Sequence, residues 1–219
     1  MSFYSRHVFP RLMDWAIGSP DQLRYRREAL SEATGDVLEL GFGTGLNLAC
    51  YPESVDSVTG VDVESALATR VDRRIRDAPM PVSRYRLDAA ALPFEDGRFD
   101  TAVTTWTLCS IGSVERALRE VARVLRPGGH LLFMEHGRSD LPRLARWQDR
   151  LNPIQKVVAC GCHLNRRIDA LIRTAGYEIL RLERFRMPDV PGVLGEVYRG
   201  VARPLSAGAP PFPSARDAS

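Results

Sequence analysis

The stretch Val37-Leu38-Glu39-Leu40-Gly41-Phe42-Gly43-Thr44-Gly45 decides how the rest of the chain folds. It starts as an apolar strand, places three glycines at alternate positions and continues into apolar residues at helical spacing. Glycine has no Cβ, so it adopts positive φ in a tight turn and lets the backbone approach a bound molecule closely. The helix predicted after Gly45 presents unpaired N–H groups, which attract a carboxylate or a phosphate. The stretch therefore predicts a ligand site, and leaves open which of these two groups it holds.

Strands and helices alternate along the chain. Short apolar runs predict seven strands, over residues 36–40, 57–61, 82–87, 99–105, 130–134, 177–185 and 193–202. Helical spacing predicts helices after the glycines over residues 46–51, 65–77, 114–125, 143–151 and 165–175. Ser113 and Asn165 are the predicted N-caps of two of them, and Arg126-Pro127-Gly128-Gly129 a predicted helix stop. This alternation is typical of an α/β fold with a doubly wound, Rossmann-like, mostly parallel seven-stranded sheet and helices on both faces.

Three regions are expected from the distribution of these elements. Residues 1–33 are predicted to form an N-terminal helical cap, broken at Gly18-Ser19-Pro20, with Asp21 as a possible helix start. This cap precedes the first strand, so it cannot be a crossover, and it is expected to cover one edge of the sheet. Residues 34–203 form the predicted main domain. Residues 204–219 are rich in proline, alanine and serine and are predicted to be a disordered tail.

Composition excludes several classes of protein. The chain has 219 residues, with 30 basic and 27 acidic side chains and no basic run, so no nucleic-acid partner is expected. Four cysteines are too few and too unevenly spaced for a disulfide framework. The sequence contains no signal peptide and no apolar run long enough to span a membrane. A cytoplasmic setting is therefore expected.

The spacing of the glycines narrows the choice of ligand. A dinucleotide site requires Gly-x-Gly-x-x-Gly, but here the third glycine comes one position early, at Gly45. Asp62 ends the second strand about 20 residues after the first glycine, where a carboxylate accepts hydrogen bonds from ribose hydroxyls. Asp88-Ala89 follows the third strand and could meet an adenine amino group. These features favour a nucleoside without a pyrophosphate.

The motifs in this order resemble the class I S-adenosylmethionine-dependent methyltransferases of the domain 11 type. The residues that carry the resemblance are the glycine stretch, Asp62, Asp88-Ala89, Phe99-Asp100 and Leu125-Arg126-Pro127-Gly128-Gly129. The resemblance implies bound S-adenosylmethionine, with S-adenosylhomocysteine as the product. The cofactor-binding residues that it implies are Glu39, Gly41, Phe42, Gly43, Gly45, Asp62, Val63, Asp88, Ala89, Thr105 and Leu108.

A narrower resemblance covers the second half of the chain. The segments 107–111, 134–136, 147–148, 151–153, 161–166 and 198–202 are similar to mammalian methyltransferase-like microsomal proteins that methylate alkyl thiols. Those proteins begin with a hydrophobic membrane anchor, which this sequence does not show. The likeness implies a thiol acceptor without implying a membrane span.

One histidine is the candidate catalytic base. Methyl transfer from a sulfonium is an in-line displacement, so the protein mainly positions the nucleophile and excludes water. A thiol, with a pKa near ~8.5, supplies some thiolate by itself, so a modest base is enough. His136 follows the fifth strand at the carboxyl edge of the sheet, where open α/β sheets bind ligands. The alternative interpretation is that His136 hydrogen-bonds a loop.

Other residues are candidates for the acceptor pocket. Cys109 follows the fourth strand, where it either lines the pocket or packs as a small buried residue. Trp106 and Trp147 either wall an apolar pocket or pack. Tyr4 either folds over the cofactor or lies free. Cys160-Gly161-Cys162-His163 has metal-like spacing, but further ligands at ordered spacing are missing, so no metal is expected.

These observations predict an S-adenosylmethionine-dependent methyltransferase that acts on a small or lipid-like acceptor, possibly a thiol. An N- or O-methyltransferase of a phospholipid amine or a quinone-like or phenolic small molecule is the enzymatic alternative. A protein that binds S-adenosylmethionine without catalysis is an alternative of another class. A nicotinamide-dependent dehydrogenase remains a fourth interpretation of the glycine turn.

Overall fold

The computed structural model describes residues 18–63, 68–188 and 190–205. In this part of the chain seven strands form one sheet: β1 Gly35–Leu40, β2 Val55–Asp62, β3 Val82–Arg86, β4 Phe99–Thr105, β5 Leu125–His136, β6 Tyr177–Arg186 and β7 Glu196–Pro204. Their order across the sheet is β3-β2-β1-β4-β5-β7-β6. The first five strands run parallel to one another, and β7 runs antiparallel to both β5 and β6. The predicted doubly wound, mostly parallel sheet is confirmed.

The strand order reverses direction between β1 and β4. The chain moves outward from β1 through β2 to β3, and then returns to place β4 on the other side of β1. Leu40 pairs with Thr104 at the carboxyl ends of these two strands. A crevice at such a switch point is the usual ligand site of an open α/β sheet. Both the glycine stretch and the segment that follows β4 start there.

Helices cover both faces of the sheet. They are α1 Pro20–Leu30, a short 3-10 helix Leu46–Ala49, α2 Ala68–Arg76, α3 Val114–Val124, α4 Pro142–Val158 and α5 Ile168–Thr174. The Ser19 side chain accepts a hydrogen bond from the Gln22 N–H at 3.4 Å, which fixes the start of α1. The buried stripe of α3 follows the predicted helical spacing, with Val114, Ala117, Leu118, Val121 and Val124.

The core lies in two layers because alternate strand residues face opposite sides of the sheet. Leu38 and Phe133 belong to the layer under α3 and α5, whereas Val37 and Leu132 belong to the layer that includes Leu30 of α1. All four of these strand side chains are almost completely buried. Burial on both sides explains why β1 and β5 are nearly continuous apolar runs.

Several element boundaries differ from the prediction, and three of the differences are large. The strand predicted over 130–134 starts at Leu125, because the Arg126–Gly129 segment forms a register shift inside β5 rather than a turn before it. The helix predicted after Gly45 is reduced to one 3-10 turn. The helix predicted over 143–151 continues through Pro153 to Val158.

Neither predicted N-cap makes a capping hydrogen bond in the described structure. Ser113 holds the N-cap position of α3 without a side-chain bond. Arg167 rather than Asn165 precedes α5, and the Asn165 side chain donates instead to Asp149 Oδ1 at 2.9 Å. The Asn165 prediction was therefore wrong, because a tertiary partner on α4 takes the side chain.

The ends of the chain are described in part. The cap predicted for 1–33 is described from residue 18 onward, where α1 packs against β5. At the other end β7 continues to Pro204, one residue into the predicted tail, and residues 206–219 lie outside the described part. No helix among the described residues is long and apolar enough to cross a bilayer.

Candidate active site

The three glycines after β1 form a tight loop at the switch point. Gly41, Gly43 and Gly45 have φ of 70°, 54° and 75°, which only glycine adopts without strain. A Cβ on Gly41 would lie 2.0 Å from Oγ1 of Thr107, in the segment after β4. A Cβ on Gly43 would meet only the Gly41 carbonyl oxygen, at 3.7 Å. The loop is therefore packed tightly on one side and open at Gly43.

Asp62 is tied to this loop. Its Oδ2 accepts a hydrogen bond from the Gly43 N–H at 2.8 Å, which joins the end of β2 to the glycine turn. Phe42 points the other way, because its ring is buried and a Cβ on Gly60 of β2 would lie 2.2 Å from it. Any contact of Phe42 with a ligand at this edge is therefore made by its backbone.

The end of β3 extends the same edge. The Leu87 N–H donates to the Asp62 carbonyl oxygen at 3.0 Å, which places the segment after β3 beside the end of β2. Asp88 is exposed, and its Oδ1 accepts from the Ala90 N–H at 2.9 Å. Ala89 is half-buried against the core and Val63 is 53% exposed. Two acidic strand ends thus lie next to each other, as the sequence predicts for a nucleoside site.

A buried polar network lies beneath the glycine loop. The Glu39 carboxylate accepts hydrogen bonds from Asn47 Nδ2 at 2.9 Å and from the Tyr51 hydroxyl at 2.7 Å. Arg26 of α1 donates to Asn47 Oδ1 at 2.6 Å and to Thr105 Oγ1 at 2.9 Å. Asn47 also donates to Thr105 Oγ1, at 3.0 Å. Glu39 and Thr105, both predicted to bind the cofactor, are thereby locked together from beneath.

Burial sets the electrostatics of this network. Burial raises the pKa of Glu39 to about 7, against the opposing effects of the Tyr51 hydrogen bond and the Arg26 charge. Burial also lowers the pKa of Arg26, while the Glu39 charge raises it. Arginine nevertheless stays protonated in proteins. The network therefore carries a fixed positive charge and one carboxyl group that titrates near neutrality.

Sequence reasoning missed Arg26, Asn47 and Tyr51. They belong to no motif, and their partners are distant in sequence, such as Thr105 for Arg26. One signal was available, because Leu23, Arg26 and Leu30 share one face of the predicted helix. An arginine between two leucines on the buried face of a helix requires a partner inside the protein.

Glu135 fixes the segment that follows β4. Its carboxylate accepts hydrogen bonds from the Thr107 N–H at 3.1 Å and the Cys109 N–H at 3.2 Å. Burial raises the pKa of Glu135, and these backbone N–H groups oppose the shift. Trp106 turns the chain at φ 58°, in the left-handed region that a tryptophan rarely adopts, and its N–H donates to the Met134 carbonyl oxygen at 2.9 Å. Glu135 was not predicted as a site residue.

His136, Cys109 and Cys162 lie together at the carboxyl ends of β4 and β5. The two sulfur atoms are 3.7 Å apart, and the His163 N–H donates to the Cys109 carbonyl oxygen at 2.8 Å. His136 is 5% exposed, and neither of its ring nitrogens has a hydrogen-bond partner among the described residues. The structure thus places two predicted site residues, His136 and Cys109, beside Cys162. From the sequence, Cys162 was considered only as part of a motif with metal-like spacing.

The two thiols of this cluster differ in acidity. The pKa of Cys162 is lowered, because its sulfur is hydrogen-bonded to that of Cys109 and lies beside the His136 imidazole. The pKa of Cys109 is raised, because its thiol is hydrogen-bonded to Cys162 and is buried. Negative charge in the cluster is therefore favoured on Cys162. Among the described residues, no group of histidine, cysteine and carboxylate side chains has the arrangement of a metal site.

The remaining predicted residues lie apart from this cluster. Leu108 is fully buried, and its carbonyl oxygen accepts from Arg166 at 2.5 Å. Trp106 packs on the apolar cluster of Met134 and Met187, and its Nε1 has no partner within the described ranges. Trp147 is 53% exposed on the outer side of α4. Tyr4 lies outside the described residues, and these site assignments stay predictions.

The comparisons with known proteins indicate a methyltransferase. Residues 38–133 match the family described as a methyltransferase domain. The chain is 33% identical over 156 residues to the thiol S-methyltransferase TMT1A of Homo sapiens, covering 69% of this chain and 64%, less than two thirds, of that protein. It is 30% identical over 187 residues to the phosphatidylethanolamine N-methyltransferase of Cereibacter sphaeroides, covering 84% of this chain and 89% of that one.

A solved structure shows the same fold. The geranyl diphosphate C-methyltransferase from Streptomyces coelicolor, in complex with S-adenosyl-L-homocysteine, matches with a TM-score of 0.63. The match covers 84% of this chain and 79% of that chain at 15% sequence identity. At this identity the likeness concerns the fold alone.

Proposed function

Because the chain belongs to the S-adenosylmethionine-dependent methyltransferases, we propose that it methylates the thiol of a small or lipid-like acceptor. The observation that carries this proposal is the buried cluster of His136, Cys109 and Cys162. It lies at the carboxyl ends of β4 and β5, beside the strand ends that hold the glycine loop. The likeness to a thiol S-methyltransferase supports the same acceptor class.

The described residues fit the cofactor. The glycine loop is open at Gly43, where a Cβ would meet nothing but one carbonyl oxygen. Asp62 and Asp88 supply acidic groups at neighbouring strand ends, which suit ribose hydroxyls and an adenine amino group. When bound, S-adenosylmethionine supplies a methyl group already activated on a sulfonium. We propose that the backbone from Gly41 to Gly45 holds its methionine part.

The protein's task is then to prepare the acceptor. We propose that a ring nitrogen of His136 takes the proton of the acceptor thiol, since neither nitrogen has another hydrogen-bond partner among the described residues. Cys162 lies beside the imidazole, and its lowered pKa favours negative charge on the sulfur next to the ring. Burial of His136 keeps water from competing for the proton.

A rate measurement on two histidine variants tests this role. We expect His136→Asn to lower kcat with an alkyl thiol at least tenfold at neutral pH. A general base usually contributes roughly 10²–10⁴ to the rate. The loss should shrink at high pH, where the thiol ionises without help. His130→Asn is the matched control, because His130 is exposed in the middle of the same strand, six residues before His136. Equal rates for wild type and His136→Asn across the pH range would contradict the assignment.

Methylation of a phospholipid amine is the second candidate. It is favoured by the phosphatidylethanolamine N-methyltransferase relative, of which the chain covers 89%. Labelled S-adenosylmethionine offered with an alkyl thiol, phosphatidylethanolamine or a phenol in separate reactions distinguishes the candidates. Turnover of the amine or the phenol with none of the thiol would reject the favoured acceptor. Tight binding of S-adenosylmethionine, with no methylation of any acceptor in a broad panel, would instead indicate a protein that binds the donor without catalysis.

A further inference from the structure

Helix α4 is attached to the protein through polar side chains. Gln148 is fully buried, and its side chain accepts a hydrogen bond from the Ser139 N–H at 2.8 Å and donates to the Gly137 carbonyl oxygen at 3.0 Å. Its amide also donates to the Val193 carbonyl oxygen at 3.2 Å. These three bonds hold the middle of the helix against the loop after β5 and the segment before β7.

Two further polar residues continue this attachment. Asp149 accepts two hydrogen bonds from the Arg138 guanidinium, at 2.5 and 2.8 Å. Asn152 accepts from the Leu164 N–H at 2.9 Å. The inner side of α4 is therefore specified by hydrogen bonds over more than one helical turn.

The outer side of the same helix is apolar. Trp147, Ile154 and Val157 are 53%, 62% and 78% exposed. They are spaced seven and three residues apart, so they lie on one face of the helix. A surface helix of a globular protein normally buries its apolar stripe and exposes its polar side chains. Helix α4 departs from this rule at these three positions.

Positive charge surrounds this face. Arg143, Arg146, Arg150 and Lys156 are all exposed. The Arg150 guanidinium lies 5.5 Å from the centroid of the Trp147 ring. The only acidic residue of α4 is Asp149, which is paired with Arg138 on the inner side. The outer face therefore combines three exposed apolar side chains with a net positive charge.

We propose that the outer face of α4 docks the enzyme on an anionic phospholipid surface. A tryptophan ring at the level of the headgroups, aliphatic side chains below it and basic side chains around it are the features of a helix that lies in the membrane interface. The basic side chains select a negatively charged surface, to which they add electrostatic attraction. At 17 residues the helix is charged and short, so it lies in the plane of the interface rather than crossing it.

Docking through this face has a consequence for access to the site. The chain leaves α4 at Val158 and enters the turn that carries Cys162, whose sulfur lies 3.7 Å from that of Cys109. A surface bound along α4 would therefore lie beside the turn that carries Cys162. The docking itself does not depend on which acceptor is methylated.

Vesicle sedimentation tests the proposal. The full chain is incubated with vesicles of phosphatidylcholine, alone or mixed with phosphatidylglycerol. We expect binding to the mixed vesicles, at least tenfold weaker binding to pure phosphatidylcholine and loss of binding as salt is raised. Ile154→Ser/Val157→Ser should weaken binding to the mixed vesicles at least tenfold, with unchanged donor affinity and Tm. Arg143→Gln/Arg146→Gln should weaken binding and reduce its salt dependence.

Matched controls keep the result interpretable. Leu180→Ser removes an apolar side chain that is 45% exposed on β6, and Arg76→Gln removes an exposed charge at the end of α2. Neither should alter vesicle binding. No binding to the mixed vesicles, or binding that Ile154→Ser/Val157→Ser leaves intact, would overturn the proposal. A change of oligomeric state in that variant without a change in vesicle binding would assign the face to a second copy of the chain and also overturn it.

Discussion

Glu39 carries a carboxyl group into the apolar layer directly beneath the glycine loop. Its two oxygens are held by Asn47 and Tyr51, so it does not need to be ionised to be satisfied. A group of this kind supports the loop by position and couples the stability of the fold to pH. The acidic residue that precedes the glycines thus has a role in the fold beside its predicted role at the cofactor.

The raised pKa of Glu39 gives a signed prediction. The pKa is about 7 in the folded state against a usual value of 4.5, so the folded protein binds this proton more tightly. Its contribution to stability is complete below pH 4.5 and is lost as the pH rises to 7, by at most about 3 kcal/mol. We expect Glu39→Gln to remove this loss, so that the variant gains stability relative to wild type between pH 5 and 7.5.

Urea unfolding at a series of pH values measures the effect. Glu183→Gln is the control, because Glu183 is paired with Arg199 on the surface and shows no such burial. A pH dependence of stability that is the same in wild type and in Glu39→Gln would contradict the account of this carboxyl group.

Gly43 gives a second prediction for a single residue. Gly43→Ala places a methyl group in the open side of the loop and forces alanine to φ 54°, at a cost of about 1 kcal/mol in stability. We expect the affinity for S-adenosylmethionine to fall at least tenfold in calorimetry. Gly112→Ala is the matched control, since its Cβ would meet nothing within 4 Å and it should keep the wild-type affinity. Equal affinity for S-adenosylmethionine in both variants would contradict the assignment of the glycine loop to the donor site.

Among the elements, the segment between β4 and α3 depends on a neighbouring strand. Glu135 of β5 accepts the N–H groups of Thr107 and Cys109, which positions Cys109 beside Cys162. A segment held in this way is rigid because its backbone donors are satisfied from within the protein. The proposed acceptor cluster thus depends on β5, which supplies His136 and positions the segment that carries Cys109.

Removal of this carboxylate should loosen the segment. Glu135→Ala leaves two buried N–H groups without their partner, so we expect a loss of about 2–6 kcal/mol in stability, from ~1–3 kcal/mol for each unsatisfied group. Hydrogen exchange of residues 107–109 should accelerate, and the KM for the acceptor should rise more than the KM for the donor. Glu178→Ala, which breaks an exposed ion pair with Arg203, should cost less than ~1 kcal/mol. Unchanged exchange at 107–109 in Glu135→Ala would contradict this role.

The same elements show what the sequence could predict. Strand β4 matches its predicted range because its apolar run is bounded by clear turn signals. Strand β5 begins earlier than predicted, because Pro127-Gly128-Gly129 is a stop signal locally and a bulge in the sheet. Helix α4 continues past Pro153 to Val158, and Gln148 and Asn152 anchor the turns that precede the proline. In β5 and α4 the folded structure overrides a local preference.

The candidate site shows the same contrast between local sequence signals and tertiary contacts. Gly41 to Gly45 and Asp62 could be predicted because their spacing along the chain is itself the geometry of a turn between a strand and a helix. Arg26, Glu135 and Cys162 could not, because each acts through a partner that only the folded sheet brings near. The proposed donor half of the site is therefore encoded by local sequence, whereas the proposed acceptor half is assembled by tertiary contacts.

At the scale of the whole molecule, the proposed donor and acceptor halves of the site lie at the ends of different strands of one sheet. The glycine loop and Asp62 lie at the ends of β1 and β2, while the His136 cluster lies at the ends of β4 and β5. The reversal of strand order between β1 and β4 brings the two halves to one crevice. Helix α4 borders the acceptor half and presents its apolar, basic face outward. Transfer from a bound donor to an acceptor delivered beside a surface is the function that we propose for this arrangement.

Competition among acceptors in a single reaction tests the central claim most directly. Labelled S-adenosylmethionine is supplied to the wild-type enzyme with equal concentrations of an alkyl thiol, a phosphatidylethanolamine and a phenol, and the methylated products are identified by mass spectrometry. The account predicts that the label is found mainly on sulfur, and that His136→Asn reduces this product at neutral pH. Label on nitrogen or on the phenol oxygen, with none on sulfur, would contradict it.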